Sequence, residues 1–210
     1  NTTVEYQIQD GRGTVSIETS DAHYGSVILG LRGEHQVQNA LVAVRLLEAA
    51  KHKVAIPLPR DAIERGLVDV DWPGRLELIR MSDGAQVLLD AAHNGEGAHA
   101  LSSYLERWHP ERPALVIGMM RDKHVSDIVD PLLPAVSSII ATAADTPRAL
   151  AARDLAMRIA ARGASNVRAE PDPAMAVEHA LATSRSVCVT GSIFLIGAVR
   201  DRLRRRAILR

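Results

Sequence analysis

The sequence is poor in cysteine, aromatic residues and net charge, and each shortage excludes a class of protein. A single cysteine, Cys188, rules out an internal disulfide framework and fits a reducing, cytoplasmic compartment. The 25 basic and 25 acidic residues cancel, so no strong field favours binding to nucleic acid. Aromatic residues make up only 3% of the chain, so Val, Ile, Leu and Ala must build the hydrophobic core.

Long apolar runs, phosphate-binding loops and metal-ligand spacings are also missing. No run approaches the roughly 18 apolar residues of a transmembrane helix, so no membrane partner is expected. Neither Gly-x-x-x-x-Gly-Lys-Ser/Thr nor Gly-x-Gly-x-x-Gly occurs, and the eight histidines show no metal-ligand spacing, so no metal site is predicted in these residues. Because the chain opens at Asn1 inside a predicted hairpin, without an initiator methionine, we expect it to be a piece of a longer protein.

The pattern changes near residues 71–75, which predicts a boundary between a first domain (1–71) and a second (72–210). In the first, alternation around Asp10-Gly11-Arg12-Gly13 predicts a β-hairpin, followed by a third strand over 24–31. Apolar residues at helical spacing predict a helix over 35–50, and Asp61 is expected to cap a short helix over 62–67.

The second domain alternates short strands with longer helices, which predicts an α/β fold with a mostly parallel, Rossmann-like sheet. The predicted strands are 87–91, 114–118, 137–142, 166–169 and 186–190, and the predicted helices are 95–107, 123–130, 148–162, 174–184 and 193–205. Ligands bind at the carboxyl ends of the strands in such sheets.

Polar residues follow three of these strands. Asp90 and His93 end the first parallel strand, where either a binding role or a purely structural role is consistent with the residues; Asn94 is a natural helix cap. Lys123 follows the second strand and suits a carboxylate or phosphate, or else a solvated helix start. Ser192 follows the last strand, at a helix N-terminus that can hold a carboxylate or simply be capped.

Two further candidates lie elsewhere in the chain. Asn39 is four residues after His35 on one helix face, and its amide suits an adenine edge; a polar first helical turn is the alternative. Arg75, in a Pro-Gly turn at the predicted domain junction, can reach a phosphate bidentately, or can be an ordinary surface arginine.

In combination and in this order, five motifs resemble folylpolyglutamate synthase/dihydrofolate synthase of the Mur ligase superfamily. The matching pieces are Leu31-Arg32-Gly33-Glu34-His35-Gln36-Val37-Gln38-Asn39-Ala40, Trp72-Pro73-Gly74-Arg75-Leu76-Glu77, Asp90-Ala91-Ala92-His93-Asn94, Asp122-Lys123-His124 and Thr190-Gly191-Ser192-Ile193-Phe194. The sequence departs from the family at Ala91, where Gly is usual, and at His124, where Asp is usual.

The resemblance implies a role in folate biosynthesis: ATP-dependent addition of L-glutamate to folate or dihydropteroate through an acyl phosphate. Residues 1–71 would be the end of the central ATPase domain, and 72–210 the C-terminal glutamate- and nucleotide-binding domain. Asn39, Arg75 and Asp90 would contact ATP, whereas Asp90, His93 and Ser192, with Lys123 as a weaker candidate, would hold glutamate.

The same resemblance places the phosphate loop and the Mg²⁺ ligands in an N-terminal part that these 210 residues lack. The isolated chain is therefore expected to be inactive, and the full enzyme to be a cytoplasmic monomer. Two alternatives stay open: a Mur-type amino-acid ligase with another acceptor, and a non-catalytic binding module of the same fold.

Overall fold

A computed structural model describes residues 2–54 and 57–207, which form two compact units, Asn1–Trp72 and Pro73–Arg210. Each unit has its own hydrophobic core. No helix within the described residues has both the length and the apolar character needed to cross a bilayer.

The first unit is a three-stranded antiparallel sheet with two helices. Its strands β1 (Thr3–Gln9), β2 (Arg12–Glu18) and β3 (His23–Arg32) lie in that order, and the helices are α1 (His35–Val54) and α2 (Arg60–Asp69). The predicted hairpin is confirmed: Asp10 and Gly11 form its two-residue loop, and both have positive φ, as a type I′ turn requires.

Helix α1 packs one apolar face on the sheet through Val37, Ala40 and Val44, and it continues four residues beyond the predicted end. The predicted cap at Asp61 is wrong. Pro59 precedes the first helical residue with an extended ψ of 152°, and Asp61 lies inside the first turn, where it pairs with Arg65. The N-cap is thus Pro59, which offers no side-chain acceptor, and the helix begins at Arg60, two residues before the predicted start.

The second unit is a six-stranded sheet between two layers of helices. Its strands are β4 (Glu77–Arg80), β5 (Gln86–Leu89), β6 (Ala114–Ile117), β7 (Ser138–Ala141), β8 (Val167–Ala169) and β9 (Ser186–Thr190), in the order β4-β5-β9-β6-β7-β8. Its helices are α3 (Gly95–Trp108), α4 (Val125–Leu132), α5 (Ala152–Ala160), α6 (Pro173–Thr183) and α7 (Ile193–Arg206). The five predicted strands form the parallel part, and the antiparallel edge strand β4 was not predicted.

The central strands lack apolar–polar alternation because both faces are buried. Leu88 and Cys188 belong to the core that includes residues of α3, α4 and α5, whereas Leu89 and Val189 belong to the core that includes residues of α6 and α7. The residues just before these helices form loops that carry the candidate site.

Helices α4 and α5 begin later than predicted, at Val125 and Ala152. The preceding loops bond to each other instead of forming helical turns: Arg121 N–H donates to the carbonyl of Arg148, and Leu150 N–H to that of Met119. This pairing is non-local, so helical periodicity within either segment does not show it.

Candidate functional site

The carboxyl ends of β5, β9 and β6 lie side by side at one edge of the sheet, called the rim here (residues 90–94, 118–123 and 190–192). Asp90 N–H donates to the carbonyl of Val189 at 3.0 Å, and Gly118 N–H to that of Thr190 at 3.2 Å. Gly191 has a φ of 98°, and a Cβ there would lie 2.5 Å from the Gly118 carbonyl oxygen. The rim is therefore closely packed backbone at its centre.

Asp90 is buried at the rim, and both of its carboxylate oxygens accept backbone hydrogen bonds. Oδ2 accepts from Leu76 N–H at 3.0 Å and Oδ1 from Ala92 N–H at 2.9 Å. Burial raises the pKa of Asp90 to about 6, although these two bonds and the charges of Arg75 and His93 act in the opposite direction. At neutral pH the side chain is an anion that ties two backbone segments together.

Arg75 is half-buried in one of those two segments. The turn around it is held by Asp90 at Leu76, and by Ala91 N–H, which donates to the Gly74 carbonyl at 2.8 Å. Gly74 and Leu76 both have positive φ, 70° and 46°. The turn and the loop after β5 thus form one hydrogen-bonded structure, and the Arg75 charge lies close enough to Asp90 to stabilise the carboxylate.

His93 is exposed in the other segment. Its Nδ1 lies 2.9 Å from the carbonyl oxygen of Ala91. Because a carbonyl only accepts, Nδ1 carries the proton, and Nε2 is the acceptor of the neutral ring. Asn94 caps α3 as predicted, with Oδ1 accepting from Gly97 N–H at 2.9 Å.

Ser192 and Thr190 flank Gly191 at the end of β9. Ser192 is buried and caps α7, its Oγ accepting from Phe194 N–H at 3.2 Å, which leaves the hydroxyl proton for another acceptor. Thr190 was not predicted as a site residue. Its Oγ1 is the one buried side-chain polar atom without a hydrogen-bond partner in residues 2–54 and 57–207.

The remaining candidates, Lys123 and Asn39, belong to other segments of the chain. Lys123 is half-buried in the loop after β6, with its N–H donating to the Met120 carbonyl at 3.2 Å. Asn39 is exposed on α1 in the first unit, and its Nδ2 donates to Gln36 Oε1 at 3.0 Å. The structure therefore joins Arg75, Asp90 and His93 in one cluster, with Ser192 on the neighbouring strand end.

Comparison with known proteins identifies a family. A family model described as Mur ligase, glutamate ligase domain, matches residues 74–193, a stretch that contains the whole rim. The chain is 31% identical over 193 residues to a dihydrofolate synthase/folylpolyglutamate synthase of Bacillus subtilis, covering 90% of this chain and 44% of that protein.

A protein with the same two activities in its name, from Mycobacterium tuberculosis, is 33% identical over 213 residues, covering 92% of this chain and 43% of that protein. The solved structure of Mycobacterium tuberculosis folylpolyglutamate synthase complexed with ADP matches with a TM-score of 0.83 and 30% identity, covering 97% of this chain and 47% of that one. The chain thus spans less than half the length of the curated relatives it matches.

Proposed function

We propose that this chain is the C-terminal part of an ATP-dependent ligase, because it belongs to the Mur ligase family through its glutamate ligase domain. The ligase would add L-glutamate to folate or dihydropteroate, since two relatives above 30% identity carry both names. Residues 1–71 would belong to the central ATPase domain and residues 72–210 would form the glutamate- and nucleotide-binding domain.

The observation that carries this proposal is the position of Asp90. Its two oxygens hold the segments that present Arg75 and His93, so a cation and an imidazole share one rigid support at the end of a parallel strand. Arg75 would bind ATP phosphates bidentately, with Asn39 on the adenine. His93 and the Ser192 hydroxyl would hold glutamate, and Lys123 would add charge.

Both oxygens of Asp90 already accept a backbone N–H, which limits its own role toward ligands. Each carboxylate oxygen has a second lone pair that the backbone N–H groups do not use, and contact with the glutamate ammonium or the nucleotide would use that lone pair. The larger contribution of Asp90 is to orient its neighbours.

In the proposed reaction, ATP phosphorylates the acceptor carboxylate and releases ADP. The glutamate amine then attacks the acyl phosphate, and phosphate leaves as the amide forms. The residues of this chain bind and orient the reactants. Among the described residues, no three His, Cys, Asp or Glu side chains are grouped to hold a metal ion, so no step through Mg²⁺ is assigned to them.

These 210 residues contain no phosphate-binding loop motif, so we expect no turnover from them alone. Their partner would be the N-terminal ATPase part of the same enzyme, which we propose to be cytoplasmic and monomeric. The test is calorimetric titration of L-glutamate, and of ATP with Mg²⁺, into the chain and into Arg75→Ala and His93→Ala variants. We expect Arg75→Ala to weaken ATP binding and His93→Ala to weaken glutamate binding.

A turnover assay separates the alternatives. The chain joined to the missing part of the enzyme should release phosphate with glutamate and a folate or dihydropteroate acceptor. Phosphate release only with another acceptor would favour a different Mur-type ligase, and no ligand binding in either form would favour a non-catalytic module. Phosphate release by these 210 residues alone would contradict the proposal that turnover needs the rest of the enzyme.

A further inference from the structure

Glu77 connects the turn that carries Arg75 to helix α7. Its Oε2 accepts from Gly74 N–H at 3.0 Å, and Arg200 Nε donates to Oε1 at 3.0 Å and to Oε2 at 2.8 Å. The pair is largely buried, with 14% of the Glu77 side chain and 19% of the Arg200 side chain exposed. An ion pair this shielded, with several charge-assisted bonds, holds its geometry better than a surface pair.

The turn is therefore held at three backbone atoms. Glu77 holds the N–H of Gly74, Ala91 holds its carbonyl, and Asp90 holds the N–H of Leu76, so Arg75 lies between fixed points on both sides. The left-handed φ of 46° at Leu76 is a conformation that non-glycine residues keep only when their surroundings impose it.

Helix α7 also packs directly against the turn. A Cβ at Gly74 would lie 2.9 Å from Ile196 Cγ2, which is one helical turn after the Ser192 cap. The same helix thus begins at the rim and, two turns later, supplies Arg200 to Glu77.

We propose that Glu77, held by Arg200, is a positioning residue that fixes the guanidinium of Arg75 toward a polyphosphate ligand. The identity of that ligand rests on the proposed function, whereas the positioning itself rests on the contacts above. A guanidinium binds phosphate best as a pre-oriented fork, so freedom in the turn weakens binding even though Arg75 is intact.

The positioning has a readout that needs no ligand. The Arg75 charge lowers the pKa of Asp90, so that pKa, followed by the carboxyl ¹³C chemical shift during a pH titration, reports where Arg75 lies. In Glu77→Ala the pKa of Asp90 should rise, because the freed turn lets the guanidinium move away. In an Arg75→Ala background the same Glu77→Ala change should raise it less, because only the loosened Leu76 N–H bond then contributes, and the difference between the two backgrounds reports the position of Arg75.

The ligand half of the proposal uses the same double-mutant cycle. We expect Glu77→Ala to weaken ADP binding by about tenfold while adenosine binding is unchanged, and to have no further effect when Arg75 is already Ala. Glu77→Gln keeps an acceptor for Gly74 N–H and should recover most of the affinity.

Glu178→Ala is the matched control. Glu77 pairs with two arginines of α7, Arg200 and Arg204, and Glu178 on α6 pairs with two others, Arg202 and Arg206, but Glu77 is the one that also accepts from Gly74 N–H. Glu178→Ala should change neither the pKa of Asp90 nor ADP affinity. Equal effects of Glu77→Ala with and without Arg75, or an unchanged pKa of Asp90, would overturn the positioning role. If the wild-type chain does not bind ADP, the proposal that Arg75 binds a polyphosphate is overturned. The pH titration of Asp90 still decides whether Glu77 positions Arg75.

Discussion

Replacing Asp90 with Asn should change how the stability of the second unit depends on pH. Burial raises the pKa of Asp90 from 3.8 to about 6. As the pH rises, this carboxyl therefore loses its proton in the unfolded chain before it does so in the native state. The native state then holds the extra proton, and the free energy of unfolding falls between pH 3.8 and about pH 6. A shift of about two units corresponds to about 3 kcal/mol.

The quantity to measure is the difference in free energy of unfolding between wild type and Asp90→Asn. The amide changes the hydrogen bonds to Leu76 and Ala92 by an amount that does not depend on pH, so only the titration of Asp90 makes the difference vary. Wild type should lose about 2 of these kcal/mol relative to the variant between pH 4 and pH 7, because the carboxyl of the unfolded chain is already more than half ionised at pH 4.

Urea unfolding at four pH values provides the assay, in a Trp72→Phe background so that Trp108, on α3, reports the second unit. Asp130→Asn is a control of opposite sign, measured with one pH value below 3.8. Because Arg162 lowers the pKa of Asp130 from 3.8, wild type should gain stability relative to this variant as the pH rises toward 3.8 and should change little above about pH 5. A flat difference for Asp90→Asn, or one that favours wild type as the pH rises, would refute the idea that desolvation outweighs the two N–H bonds.

Two further substitutions test the packing of each unit. Glu48→Ala should destabilise the first unit by about 1–3 kcal/mol, measured by hydrogen exchange of the β2 amides, because it removes the acceptor of the buried Tyr24 hydroxyl, whereas Thr19 keeps the Ala22 carbonyl as a second acceptor; unchanged protection would contradict this. Gly191→Ala should cost about 3 kcal/mol or more in urea unfolding, since its Cβ would meet a backbone carbonyl oxygen at 2.5 Å, whereas Gly197→Ala, with open space on the exposed face of α7, should stabilise by about 0.5–1 kcal/mol. Equal effects at the two glycines would show that the rim relaxes more easily than its geometry implies.

Local patterns in the sequence were sufficient for most of the fold. Apolar runs such as Val87-Leu88-Leu89 indicate strands buried on both faces, and their alternation with amphipathic helices is enough to predict the parallel sheet, because these signals depend on neighbouring residues. The same locality explains why Asn94 was predicted as a cap. Family membership could be inferred early because five motifs agree in both type and order.

What the tertiary structure decided is how distant segments meet. Strand β4 is only four residues long and exists because it pairs with β5, and the late starts of α4 and α5 come from two loops that bond to each other. Glu77 is an ordinary glutamate in the sequence and becomes a support for Arg75 only because Arg200, 123 residues away, lies against it. Residue types and spacing determined which groups can do the chemistry; chain folding over long separations determined which backbone atoms hold those groups, since hydrogen bonds between remote segments leave no local periodicity to read.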